Sequence, residues 1–99
     1  MRIPKKIKIA GKTVNIVKDR VRATKRGVNG TSFYDHNEIL LDHPNRSIVS
    51  SECIEQTFIH EVIHFINAVL SKGSTECDAE EYVNPLSEML YQVFEQLEK

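Results

Sequence analysis

His60-Glu61-Val62-Ile63-His64 is the one stretch of this sequence whose residue types and spacing together specify a reaction. Positions i and i+4 of a helix lie one turn apart on the same face, so two imidazoles at that spacing can reach one metal ion at the roughly 2.0–2.1 Å of a Zn–N bond. Glu61 is turned about 100° around the helix axis from His60. It misses the first ring of ligands and can instead hydrogen-bond a water held in the open coordination position. A carboxylate beside a metal-activated water is a general base, and the reaction such a pair serves is hydrolysis.

The helix that must carry these residues is predicted over 50–72. Ser50 or Ser51 can cap it, Glu52 and Glu55 occupy its first turn, and Lys72-Gly73 supplies a stop. Its apolar residues, among them Ile54, Phe58, Ile59, Val62, Ile63, Phe65, Ile66, Val69 and Leu70, cover nearly every side, which predicts a central, buried helix. Ionisable side chains on such a helix each cost on the order of several kcal/mol unless something pairs with them. A metal ion would pair with His60, Glu61 and His64 together.

A second helix is predicted over 75–98. Thr75-x-x-Asp78 resembles a capping box, and Val83, Leu86, Leu90, Val93 and Leu97 form its inner stripe. Pro85 interrupts it: either the helix kinks there, or Asn84 caps a fresh helix with Pro85 in first place. Both outcomes leave Glu76, Glu80 and Glu81 in the turns before the break, where a third metal ligand is needed. Glu80 shares a face with Val83 and Ser87 and points to the core, Glu76 is the runner-up one turn earlier, and Glu81 faces water.

Residues 1–45 are the β-rich half. Ile7, Ile9, Val14 and Ile16 alternate on either side of Gly11-Lys12, which suits a type II′ hairpin. Residues 18–30 carry Lys18, Arg20, Arg22, Lys25 and Arg26 and read as a polar strand end followed by a mobile loop. A second hairpin flanks Asp35-His36-Asn37, with Ile39-Leu40-Leu41-Asp42 its most apolar strand. His36 and His43 sit in or beside turns and are read as ordinary polar residues. The expected fold is a single α+β domain over 1–99, a small, mainly antiparallel sheet of about three to four strands packed on the two helices.

Composition narrows the alternatives. The 99 residues, 40% apolar and 27% charged, suit one small globular core, and a formal charge of −1 removes bulk attraction to nucleic acid as a theme. No stretch reaches the 18 or so apolar residues of a membrane span, and the opening residues lack a signal-peptide core, so a cytoplasmic location is expected. Cys53 and Cys77 are read as free thiols.

The His-Glu-x-x-His stretch, followed after a short connection by a glutamate-bearing helix, resembles the gluzincin zinc metallopeptidases. The small size resembles the minigluzincins and the short, often phage-encoded proteins related to the ImmA/IrrE metallopeptidases. In that pattern the third ligand is a glutamate with a polar residue four positions later, which Glu80 and Asn84 fit; Glu76 fits less well, and Pro85 is a departure. The resemblance implies one Zn²⁺ per chain held by His60, His64 and Glu80, hydrolysis of peptide bonds with Glu61 as general base, and a peptide or unfolded protein as substrate. Asn84, or else Asp78, would orient an imidazole, and Tyr82, Tyr91 or a loop histidine would steady the oxyanion. It further implies that a strand beside the metal helix binds substrate as an added strand, for which 39–42 is the candidate, although the same residues also read as a buried central strand. A zinc-binding regulatory protein without turnover is the alternative, with the basic segment of 18–26 as its partner or nucleic-acid contact. A di-iron site is set aside because it needs a second Glu-x-x-His and four long helices.

Overall fold

Alternating apolar residues at the start of the chain build a hairpin of β1 (Lys6–Ile9) and β2 (Lys12–Lys18), with Ile9 opposite Lys12 across the turn. The turn residues are Ala10 and Gly11, at φ 52° and 79°. Two positive values make it a type I′ turn, not the expected type II′ turn at Gly11-Lys12, because I′ matches the twist of the paired strands. Gly11 takes that backbone region freely, and Ala10 accepts it at a cost of about 1–2 kcal/mol. The computed structural model describes residues 2–27, 29–42, 50–71 and 79–98.

The segment expected as a loop forms a short helix, α1 (Arg20–Arg26). Asp19 caps it by accepting from the Arg22 N–H at 3.1 Å, Gly27 closes it in the left-handed region, and Ala23 is buried beneath it. Its charges turn back onto the sheet. Arg22 donates to both oxygens of Glu38, at 2.6 and 3.1 Å, Arg20 reaches Asp42 at 3.4 Å, and the Arg26 guanidinium lies 4.7 Å from the Phe33 ring centre. The Arg22 hydrogen bond holds the Glu38 carboxyl below the usual carboxylate range.

β3 (Gly30–Phe33) and β4 (Glu38–Leu41) pair antiparallel around a single 3₁₀ turn at Tyr34–His36. This is the second hairpin the sequence predicts. The four strands form one sheet in the order β1-β2-β4-β3, with β4 parallel to β2. The β4 strand is therefore central: it is paired on both sides, and Ile39, Leu40 and Leu41 are fully buried. Residues 39–42 thus cannot receive an added peptide strand, and the sheet edge beside the long helices belongs to β3. His36 stacks on Phe33 with ring centres 4.8 Å apart, away from the metal motif, while His43 lies outside the described residues.

The long helix α2 (Ser51–Ser71) starts as expected, with the Ser50 hydroxyl accepting from the Cys53 N–H at 3.1 Å. Ile54, Phe58, Ile59, Ile63 and Phe65 pack with Val14, Ile16, Ile39 and Leu41. Burial does not extend along its whole length: Ile66 and Leu70 are exposed and border a shallow apolar groove beside Ile7 and Ile9 of β1. The next helix, α3 (Glu80–Leu97), begins at Glu80 and not at Thr75, because Ala79 is extended with ψ 141°. Thr75, Cys77, Asp78 and the stop at Lys72-Gly73 lie outside the described residues. Pro85 sits inside α3, so Asn84 does not cap a separate helix. Val83 and Ser87 are buried and Leu86 and Leu90 half-buried against the core, whereas Val93 and Leu97 of the expected inner stripe are exposed. No helix among the described residues is long and apolar enough to cross a membrane.

Candidate metal centre

One turn of α2 separates His60 from His64, and both rings leave the helix on the side facing the start of α3. The ring centres are 4.8 Å apart and the two Nε2 atoms 3.1 Å apart. Glu80, the first residue of α3, closes the group: its Oε1 lies 2.7 Å from His64 Nε2 and its Oε2 3.1 Å from His60 Nε2. These three side chains form a group that could hold a metal ion. Ligand atoms at about 2.0–2.1 Å from a tetrahedral ion stand roughly 3.3–3.4 Å from one another, close to the spacing found.

Donor chemistry favours the same conclusion. Three close pairs would need three protons to be hydrogen bonds, yet only two ring nitrogens can carry one each here, and a carboxylate only accepts. A cation at the centre satisfies all three pairs at once. The histidines are mostly buried, while the Glu80 side chain is 61% exposed, so the group opens to solvent on its α3 side.

Helical phase explains why Glu80 is the glutamate that arrives. Val83 and Ser87, on its face, are buried under α2, and Glu81 is exposed. Asn84 follows one turn later on the cleft wall, and its main-chain oxygen accepts from the Ser87 hydroxyl at 2.9 Å. Its amide makes no hydrogen bond to either imidazole, so the orienting role expected for it is not made by direct contact. Glu76, the other ligand candidate, lies outside the described residues.

Glu61 turns from the histidines toward β3, where the Ser32 hydroxyl sits 2.8 Å from its Oε1. Glu61 as a whole is only 8% exposed. Burial pushes its carboxyl above the ordinary value, and the Ser32 hydrogen bond opposes that rise. It nonetheless borders an open cleft of about 640 Å³, with His60, His64 and Glu80 on one wall and Gly30 and Thr31 of β3 on another.

Neither Tyr82 nor Tyr91 borders this cleft. Tyr82 is exposed, and the Tyr91 hydroxyl lies between the carboxylates of Glu55 and Glu95, at 3.1 and 3.2 Å. Tyr34 instead borders a smaller hollow with Glu61 and His64, and Lys12 donates to its hydroxyl at 3.0 Å. Sequence patterning singles out neither Ser32, which reaches Glu61 only through the packing of β3 on α2, nor Tyr34, which borders the same hollow. No family model matches the chain, and neither a curated protein nor a solved structure matches it.

Substituting the glutamates one at a time tests the ligand set. Glu80→Ala should weaken metal binding most, Glu81→Ala should leave it unchanged, and Glu76→Ala should cost at most about 10–100-fold. Titration of the three variants with zinc reads the order directly; a Glu76→Ala variant that loses binding while Glu80→Ala only weakens it moves the ligand one turn back.

Proposed function

We propose that this chain is a zinc-dependent metallopeptidase of the gluzincin type, hydrolysing peptide bonds with Glu61 as general base. The observation that carries the reading is the convergence of His60, His64 and Glu80 in the same open cleft that Glu61 borders. Two nitrogens and one carboxylate oxygen form a ligand set typical of catalytic zinc sites, which leave a coordination position open. The order of residues adds the gluzincin resemblance: His-Glu-x-x-His on one helix and the third ligand on the next.

Zinc bound there would supply a Lewis acid and lower the pKa of a water toward about 7. Glu61 accepts the proton of the attacking water on its carboxylate and returns it to the amine nitrogen that leaves. The substrate main chain would lie along the free edge of β3, extended between that strand and the start of α3.

A zinc-binding regulatory protein without turnover is the second reading, favoured by the distance of Tyr82 and Tyr91 from the cleft wall. Metal analysis together with hydrolysis of a fluorescently labelled unfolded protein separates the two. One zinc per chain, with hydrolysis that a chelator abolishes and added zinc restores, is the expected result. Zinc without hydrolysis supports the regulatory protein, and absence of zinc overturns both.

A further inference from the structure

We infer that Ser32 is a positioning residue for the base, holding one carboxylate oxygen of Glu61 so that the other faces the reacting water; the inference rests on the peptidase reading above. The Ser32 Oγ lies 2.8 Å from Glu61 Oε1 and also 2.8 Å from the main-chain oxygen of Glu61. A hydroxyl has one proton and here two acceptors. While Glu61 is ionised the carboxylate takes that proton, since a hydrogen bond to a charged acceptor is roughly twice as strong as one to a neutral carbonyl. Oε1 is thereby occupied, and Oε2 is the oxygen left to accept the proton of the water.

Ser32 is set in place by the sheet. It pairs with Ile39 of the buried central strand, which fixes its register. Gly30, two residues earlier on the same face of β3, lies so near α2 that an added Cβ would come within 2.6 Å of Thr57 Cγ2 and 3.2 Å of the Leu40 main-chain oxygen. A side chain at position 30 would force Thr57 or the strand to shift.

Ser32→Ala and Ser32→Thr, with wild type, test the assignment. Ser32→Ala is expected to keep one zinc per chain and to lower kcat about tenfold with KM within a factor of two, and Ser32→Thr, which retains the hydroxyl, is expected to recover most of the loss. An unchanged kcat in Ser32→Ala overturns the inference, as does a loss that the threonine variant fails to recover while its zinc content and melting temperature match wild type. The contact is read apart from turnover by the carboxylate infrared band of Glu61, isolated as wild type minus Glu61→Gln. A band shift in Ser32→Ala is expected; no shift overturns the inference even if catalysis changes, whereas a shift in a protein whose wild type hydrolyses nothing overturns the peptidase reading and the catalytic role with it.

Discussion

His60→Ala and His64→Ala are each expected to abolish stoichiometric zinc and to lower the melting temperature by roughly 15 °C or more. The ligands come from two helices, His60 and His64 from α2 and Glu80 from α3, so the complete set exists only when α3 is docked on α2. Binding energy at a site made by folding is folding energy. Zinc held about 1,000-fold above its dissociation constant contributes about 4 kcal/mol, and in a domain of this size each kcal/mol moves the melting temperature by about 4–8 °C. Calorimetry with and without chelator reads the effect: wild type should drop on chelation toward the variants, and the variants should not respond. Elemental analysis showing one zinc per chain in both variants would falsify the site.

Glu61→Gln should do the opposite, keeping the metal and the fold while hydrolysis falls by about 10²-fold or more. Glutamine has the shape of glutamate, and its carbonyl oxygen can still accept from the Ser32 hydroxyl that now meets Oε1. What it cannot do is take a proton. Removing a charge that burial disfavours should also leave the melting temperature at or above that of wild type. Zinc content, melting temperature and kcat measured on one preparation separate these effects, and a variant that turns over at the wild-type rate shows that another group is the base.

Sequence and structure part company where contacts are distant. Residues 18–30 read as a loop because four arginines and lysines within α1 leave no apolar stripe, and the helix is held by Arg20 and Arg22 reaching Asp42 and Glu38 across the sheet. The first hairpin was readable from the alternation of Ile7, Ile9, Val14 and Ile16, while its turn type depended on strand twist that put Ala10 at positive φ. Apolar pattern alone overstated burial at Leu70, Val93 and Leu97, since an apolar face is buried only where another element arrives to cover it.

By itself the sequence determined the elements whose cause is local: the spacing of His60 and His64 on one helix face, a serine cap at 50 or 51, the two hairpins, and the phase that puts Glu80 on the helix face of Val83 and Ser87. Each of these follows from backbone period or a turn within a few residues. Tertiary structure alone decided that β4 pairs parallel with β2 at the centre of the sheet, that β3 is left as the edge beside α2, that Glu80 closes on both imidazoles, and that Ser32 meets Glu61. Those arrangements join residues 16 to 29 positions apart, or strands separated by a helix and another strand, and their geometry is set by which surfaces bury one another.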